Sequence, residues 1–366
     1  MFDENEYREA FSHVTASQTT RMEVLKMKTK EKRTGAVSIR RAAVIASAVI
    51  VLMAFTVTVF ASEEFTSWVQ SYFTAYSGKL SDKQQGYLSE HEQQIFESQT
   101  VNGWTVQLKS AIHDGTIGYM VFDLIGPEGE DVGHYTFGNT GRAGYCTKAL
   151  DILQLPEGLS RYCSWGYSWL EDGDGRSHTK RLVVNVDPNE DDSSIDAFGP
   201  NAIYRIHMEN IVQEFQCDED ASSRSWEVIS EGQWDFDVIF TEGSREAVEL
   251  LEDPITVNAW FLDHSAGKLV NAQGTALLYS VEMRNLTVTI RYAASRGAPI
   301  FERYEDDECI RPEVVMKDGG RVELMSRGGS DSGCQTLSAM APIILEEVDH
   351  ILLADGTVIP VPEGSE

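Results

Sequence analysis

Thr100–Gly129 reads TVNGWTVQLKSAIHDGTIGYMVFDLIGPEG. Val101, then Trp104, Val106 and Leu108 at alternate residues, give the two-residue period of a strand. His113-Asp114-Gly115 supplies hairpin chemistry, because glycine takes the positive φ that a tight turn demands. Ile117 to Ile125 then runs apolar on both faces, as a strand covered on both sides would. The stretch therefore predicts antiparallel sheet.

The same pattern recurs downstream. VVMKDGGRVELM turns at Asp318-Gly319, and HILLADGTVIPV turns at Asp355-Gly356. Further strand candidates are RLVVNV, AIYRIHMENI, EGQWDFDVIF, ITVNAWFLD, ALLYSVEMRNLTVTIRYAA and APIILEEV. A helix is predicted at SREAVELLED, ending near Asp253-Pro254, where a new strand series begins. Many short strands separated by Gly, Pro and Asp give a mainly β fold class. We expect two β-sandwich domains of immunoglobulin-like architecture, 99–252 and 253–366.

Upstream, SEEFTSWVQSYFTAYSGK carries Phe65, Trp68, Val69, Tyr72, Phe73 and Tyr76 at three- and four-residue steps, with Gly78 as a helical stop. Residues 62–98 are read as a juxtamembrane stalk. Its aromatic stripe either lies on a bilayer surface, where Trp and Tyr favour the headgroup zone, or packs against the outer part.

Ala42 to Ala61 reads AAVIASAVIVLMAFTVTVFA. At about 1.5 Å per residue, roughly 20 apolar residues cross a hydrocarbon core of about 30 Å. Between Arg21 and Arg41 stand eight basic residues against Glu23 and Glu31, and Glu63 and Glu64 follow the run. The positive-inside rule then places the N-terminus in the cytoplasm and the bulk of the chain outside the cell membrane. A cleaved signal peptide ending Val59-Phe60-Ala61 is the rival, but the preceding stretch and the run are both longer than such a peptide uses.

Charge divides with the compartments. Residues 1–41 hold nine Lys/Arg and six Asp/Glu, a balance of +3; of the chain's 30 and 58 this leaves 21 and 52, or −31, beyond them. So acidic an outer part repels phosphate backbones, and no direct nucleic-acid partner is expected. Cys146, Cys163, Cys217, Cys309 and Cys334 all fall on the outer side, where disulfides persist. Cys146 with Cys163 and Cys309 with Cys334 are the sequence-near pairings; spacing does not determine connectivity, and isolated buried thiols are the alternative.

Chemistry is sparse. GGSDSG reads as a polar hairpin loop, and EDGDGRSH and DPNEDDSSID as solvated loops without the spacing of an EF-hand. There is no CxxC, HExxH or glycine-rich phosphate loop, so neither catalytic residues nor a metal or cofactor is expected. In RYCSWGYSW, Trp165, Tyr167 and Trp169 fall on one face of a strand, either as an aromatic platform for a sugar or as core.

The tail, 1–41, holds two short amphipathic stretches, Tyr7, Phe11 and Val14, then Met22, Leu25 and Met27, broken near Ser17. Helices so short are marginal in water and fold onto a partner groove. The alternative is a spacer whose lysines contact anionic lipid.

AFSHVTASQTTRMEVLKM, the anchor, NGWTVQLKSAIHDGTIGYMVFDLIGPEG, HMENI, EGQWDFDV and VDHILLADGTVIPV together resemble the domain-of-unknown-function 4179 family of bacterial single-pass membrane proteins. The resemblance implies an anti-sigma factor that holds an extracytoplasmic-function sigma factor at the membrane, with Tyr7, Phe11, Val14, Met22, Leu25 and Met27 as contacts. It also implies signalling by loss of the outer part to proteolysis. The tail departs from the best-known anti-sigma class in lacking its zinc-binding His and Cys pattern. A cell-surface binding or adhesion protein with a simple anchor is the other reading.

Overall fold

The computed structural model describes residues 67–362 apart from 141–145, 148–149, 155–163, 171–176, 189–196, 200–201, 217–223, 242, 245, 264–269, 295–298, 306–307 and 327–332. The tail contacts Tyr7 to Met27 and the run Ala42–Ala61 lie outside the described residues. No helix among the described residues is long and apolar enough to cross a membrane.

Two α-helices come first among the described residues, α1 (Gln70–Ser77) and α2 (Asp82–His91). Three strands follow, β1 (Gln93–Val101), β2 (Trp104–His113) and β3 (Gly118–Ile125). Asn102 and Gly103 join β1 to β2, both at positive φ (52° and 84°), as the right-handed twist of a two-residue hairpin requires. The first sheet runs β1, β2, β3, Thr179–Asp187, Ser164–Leu170, all antiparallel. A second sheet runs Arg224–Val238, Tyr204–Gln216, Tyr135–Phe137, with Leu150–Gln154 also on Tyr204–Gln216.

The third sheet, ten-stranded among the described residues, begins Pro299–Ile300, Ile255–Asp263, Val270–Met283, Thr287–Ala294, Cys334–Ala339. It continues through Arg321–Ser326, Glu313–Met316, Val348–Leu352 and Val358–Pro360. Mainly β structure built on antiparallel hairpins is therefore what the turn chemistry led us to expect.

Two cores explain why β3 is apolar on both faces. Met120, Phe122 and Leu124 enter a cluster with Trp104, Tyr204, Trp234 and Phe236, between the first and second sheets. Tyr119 and Val121 face the other way, into a cluster with Phe73, Leu88, Val257, Leu278 and Ile351. This second core draws on both sides of Asp253-Pro254. Trp68–Glu366 is accordingly one compact unit, which replaces the expected division at 252/253.

Two local readings change as well. SREAVELLED is not helical: Val248–Glu249 forms a short strand on Val270–Met283, and the Leu250 amide donates to the Val281 carbonyl (2.9 Å). Here β pairing overrides intrinsic helix propensity. In APIILEEV the buried Ile343 and Ile344 precede a 3₁₀ turn, Leu345–Glu347, so strand pairing resumes only at Val348.

Asp114, in the β2–β3 hairpin, is fully buried and ties the two halves of the unit together. Its Oδ1 accepts from the amides of Thr116 and Ile117 (both 2.9 Å). Its Oδ2 accepts from the Leu286 amide (3.1 Å) and the Thr287 hydroxyl (2.6 Å), in the turn before Thr287–Ala294. Burial pushes this carboxyl above its usual range, while the Thr287, Ile117 and Thr116 donors and the Arg284 charge hold the rise back.

Candidate functional site

Residues 68–77 follow the apolar run closely in sequence, and a set of polar and aromatic contacts seats them on the first sheet. The start of a helix leaves amide groups without intrahelical partners. Val69 stands at that position, and its amide donates to Glu92 Oε1 (3.0 Å). The same oxygen accepts from the Ser110 hydroxyl of β2. One buried carboxylate thus pins the start of α1 to the end of α2 and to the sheet, at the helix end where negative charge is favoured.

Trp68 completes the seat. Its ring meets the edge of Phe96 at 5.0 Å and lies under the Lys109 ammonium, 4.8 Å from the ring centre. Lys109 stands 3.9 Å from Asp123, whose carboxylate forks onto Arg181 (Nε–Oδ1 2.8 Å, Nη2–Oδ2 3.2 Å). Asp123 and Arg181 are cross-strand partners, and the Arg181 Nη1 also donates to Ser71 Oγ of α1 (3.3 Å). Below them Tyr72 and Phe73 pack on Tyr119 at 5.2 and 5.5 Å. Farther along α1, the Tyr76 and Ser168 hydroxyls are 3.2 Å apart.

Phe96 reaches Trp68 from a backbone at φ 55°, inside the bulge that shifts the β1–β2 register between Gln94 and Glu97. A non-glycine residue held there costs on the order of 1–3 kcal/mol, sustained only where the surroundings fix it. What the arrangement can do is hold one short helix against a sheet by several independent contacts.

Trp68, Val69, Tyr72 and Phe73 of the stripe read in the sequence thus pack on the fold, Tyr76 is exposed and Phe65 lies outside the described residues; Gly78 (φ 80°) ends α1 as expected, its amide returning to Thr74. The described part of the expected stalk is built into the fold, since Val69, Tyr72, Phe73, Leu80 and Leu88 belong to the second core. α2 was not read from the sequence. Its signal was available in Ser81 and Gln84, which make a reciprocal capping box.

The aromatic strand Ser164–Leu170 is the outer strand of its sheet. Tyr167 is exposed, whereas Trp169 is half-buried, stacked on Phe137 (5.7 Å), donating to Thr136 Oγ1 (3.0 Å) and covered by Lys180 at 4.6 Å. The Trp169 ring is therefore engaged within the fold, and the Trp165 side chain lies outside the described residues. Cys309 and Cys334 are not joined: both are half-buried thiols. They lie in different sheets, Cys309 in the pair Arg303–Glu305/Glu308–Ile310 and Cys334 in the ten-stranded sheet. The side chains of Cys146 and Cys163 lie outside the described residues. A cleft beside Cys309 is lined by Arg311, Glu313, Arg321 and Glu323, but its arginines are taken by Glu323 (3.0 Å) and Glu313 (2.5 Å).

No curated protein matches this chain. Among solved structures it is similar to a conserved domain protein from Bacillus anthracis, at 15% identity and a TM-score of 0.41, over 71% of this chain and 75% of that one. Residues 37–125 match the family model described as Domain of unknown function (DUF4179), which takes in the apolar run, α1, α2 and all of β1 to β3. The stretch from 37 to 125 thus matches the family that the sequence resembles.

Proposed function

We propose that this chain is a membrane-anchored anti-sigma factor, with residues 1–41 holding an extracytoplasmic-function sigma factor inside the cell and the unit from Trp68 onward receiving a signal outside. The observation that carries the reading is the family match itself, one continuous stretch running from the basic end of the tail through Ala42–Ala61 to the end of β3. The matched stretch takes in the apolar run together with the first helices and strands of the outer fold. Only residues 62–67 separate Ala61 from Trp68. In this reading α1, the first described helix of the outer unit, is the element through which its state reaches the anchor. We read the pair of sheets around the first core as a β-sandwich in this sensor role.

In the tail, Tyr7, Phe11, Val14, Met22, Leu25 and Met27 form the contact face, and the lysines from Lys26 onward stand at its rim. The test uses the full chain in a bacterial host, with the host's extracytoplasmic-function sigma factors scored by mass spectrometry of co-purifying material. Replacing Phe11 and Leu25 together by Asp is expected to abolish co-purification, because truncating one buried anchor typically costs about 2 kcal/mol or more. Replacing Lys28, Lys30 and Lys32 by Gln is expected to change it little, since rim charges act mainly on encounter rate. A reporter active only outside the cytoplasm should work at Glu366 and not at Phe2. Undiminished binding by the double Asp variant would remove the anti-sigma reading and leave surface binding in its place.

A further inference from the structure

Tyr204–Glu209 and Gln233–Val238 alternate between core and outer face. Tyr204, Ile206 and Met208 pack with Trp234, Phe236 and Val238 in the first core. On the outer face the register sets Arg205 opposite Asp237, His207 opposite Asp235 and Glu209 opposite Gln233. Arg205 forks onto Asp237 at 2.6 and 2.7 Å. His207 is held at both ring nitrogens, Nδ1 to Asp235 Oδ1 at 2.7 Å and Nε2 to Glu209 Oε1 at 3.0 Å.

A neutral imidazole has one N–H and one lone pair, whereas an ionised carboxylate only accepts. Two carboxylates on one ring are therefore both satisfied only by the imidazolium. Asp235 is also where this strand meets β1. Its amide donates to Gln99 Oε1 (3.1 Å), and the Gln99 amide returns to the Asp235 carbonyl. Asn102 Nδ2 donates to the Glu231 carbonyl (2.8 Å) and the Thr241 amide to Gln93 Oε1 (2.8 Å), so β1 side chains stitch one edge of the first sheet to the second.

We propose that His207 is a proton-operated clamp on this seam, holding Asp235 and Glu209 together while charged and releasing one of them when it loses its proton. The released carboxylate would otherwise face a lone pair, and the seam at Asp235 loosens. This stands whether or not the tail binds a sigma factor.

The groups that face the ring fix the sign. On its own strand these are Arg205 and Glu209. Across the pair they are Asp235, Gln233, which donates to Asp235 Oδ2 (2.8 Å), and Asp237, already taken by Arg205. On the neighbouring strand Leu150–Gln154, Asp151 is the backbone register partner of His207. Burial acts to lower the His207 pKa, but the hydrogen bonds to Asp235 and Glu209 and their charges prevail, raising it above the ordinary 6.5. The folded chain then binds this proton more tightly than the unfolded one. The contribution to stability is full below 6.5 and is lost as pH rises through the raised folded value.

The experiment uses the full-length chain in detergent micelles. Hydrogen exchange at the histidine ring carbon, read by mass spectrometry, gives each histidine its own midpoint, and backbone exchange on the same samples reports the seam. We expect His207 to titrate above 6.5 in the parent. In Glu209→Gln the new amide can donate to a neutral ring, so the midpoint should fall by about one unit or more. Backbone exchange at Gln99 and Asp235, corrected for the intrinsic rate, should rise across the parent midpoint and stay level over that range in Glu209→Gln. A parent midpoint at or below 6.5, or seam exchange that follows only the intrinsic rate, overturns the clamp. A purely structural histidine would change seam exchange equally at every pH.

Discussion

Asp114→Ala is expected to lower the unfolding free energy of the full chain by about 3–5 kcal/mol, seen as a melting midpoint reduced by roughly 10 °C. The substitution removes the acceptor of four buried or half-buried donors at once: the amides of Thr116, Ile117 and Leu286 and the hydroxyl of Thr287. Leaving a buried donor without a partner costs about 1–3 kcal/mol, and only the Thr116 end lies near enough to solvent to recover water. The loss is also architectural. Asp114 follows β2 of the first sheet, and Leu286 and Thr287 stand at the start of a strand of the third, so the carboxylate is a polar tie between the two halves of the unit. Asp114→Asn separates the two contributions, because it keeps the volume and one accepting oxygen while turning an N–H₂ toward donors. It should fall between the parent and Asp114→Ala. A cost below about 1 kcal/mol for Asp114→Ala would mean that packing alone holds the halves together.

The hairpin containing that aspartate was legible because its chemistry is local. Asp114-Gly115, Asp318-Gly319 and Asp355-Gly356 all turn where expected, with the glycines at φ 91°, 87° and 87°. Apolar alternation in β2 and two-faced apolarity in β3 likewise follow from which faces are covered. Contacts made across long sequence separations were not legible. Nothing near Ser244 announces that Val248 and Glu249 pair with Val270–Met283, so the helical spacing of Val248 and Leu251 misleads. The stripe on α1 showed that one face is buried but not against what; Tyr119, 47 residues beyond Tyr72, supplies the answer. The same limit hides the seat itself. Arg181, Asp123, Lys109 and Glu92 are ordinary charged residues in the sequence, and only strand register and the α2–β1 corner bring them round Trp68, Val69 and Ser71.

Seat and core together determine what happens when α1 is undermined. Phe73 is fully buried in the second core, edge-on to Tyr72 and Tyr119 at 5.3 and 5.5 Å. Phe73→Ala removes those ring contacts and opens a cavity between helix and sheet, a change that costs about 3–5 kcal/mol in a rigid core. At eight residues, α1 is too short to persist without tertiary contacts. The cost should therefore be relieved locally, by α1 leaving its seat, before the first core yields. Backbone hydrogen exchange of the full chain separates the two responses. Protection over 68–78 is expected to fall by at least about tenfold, while β3 and Tyr204–Gln216 keep theirs. If the anti-sigma reading holds, a chain whose α1 is unseated should behave as though signalled, raising target-gene expression with the tail and its contacts unaltered. Equal loss of protection in 68–78 and β3 would show instead that α1 and the sheet unfold as one, leaving no separately movable element at the start of the unit. Retained protection at 68–78 would show that the Glu92 and Arg181 contacts alone are enough to seat the helix.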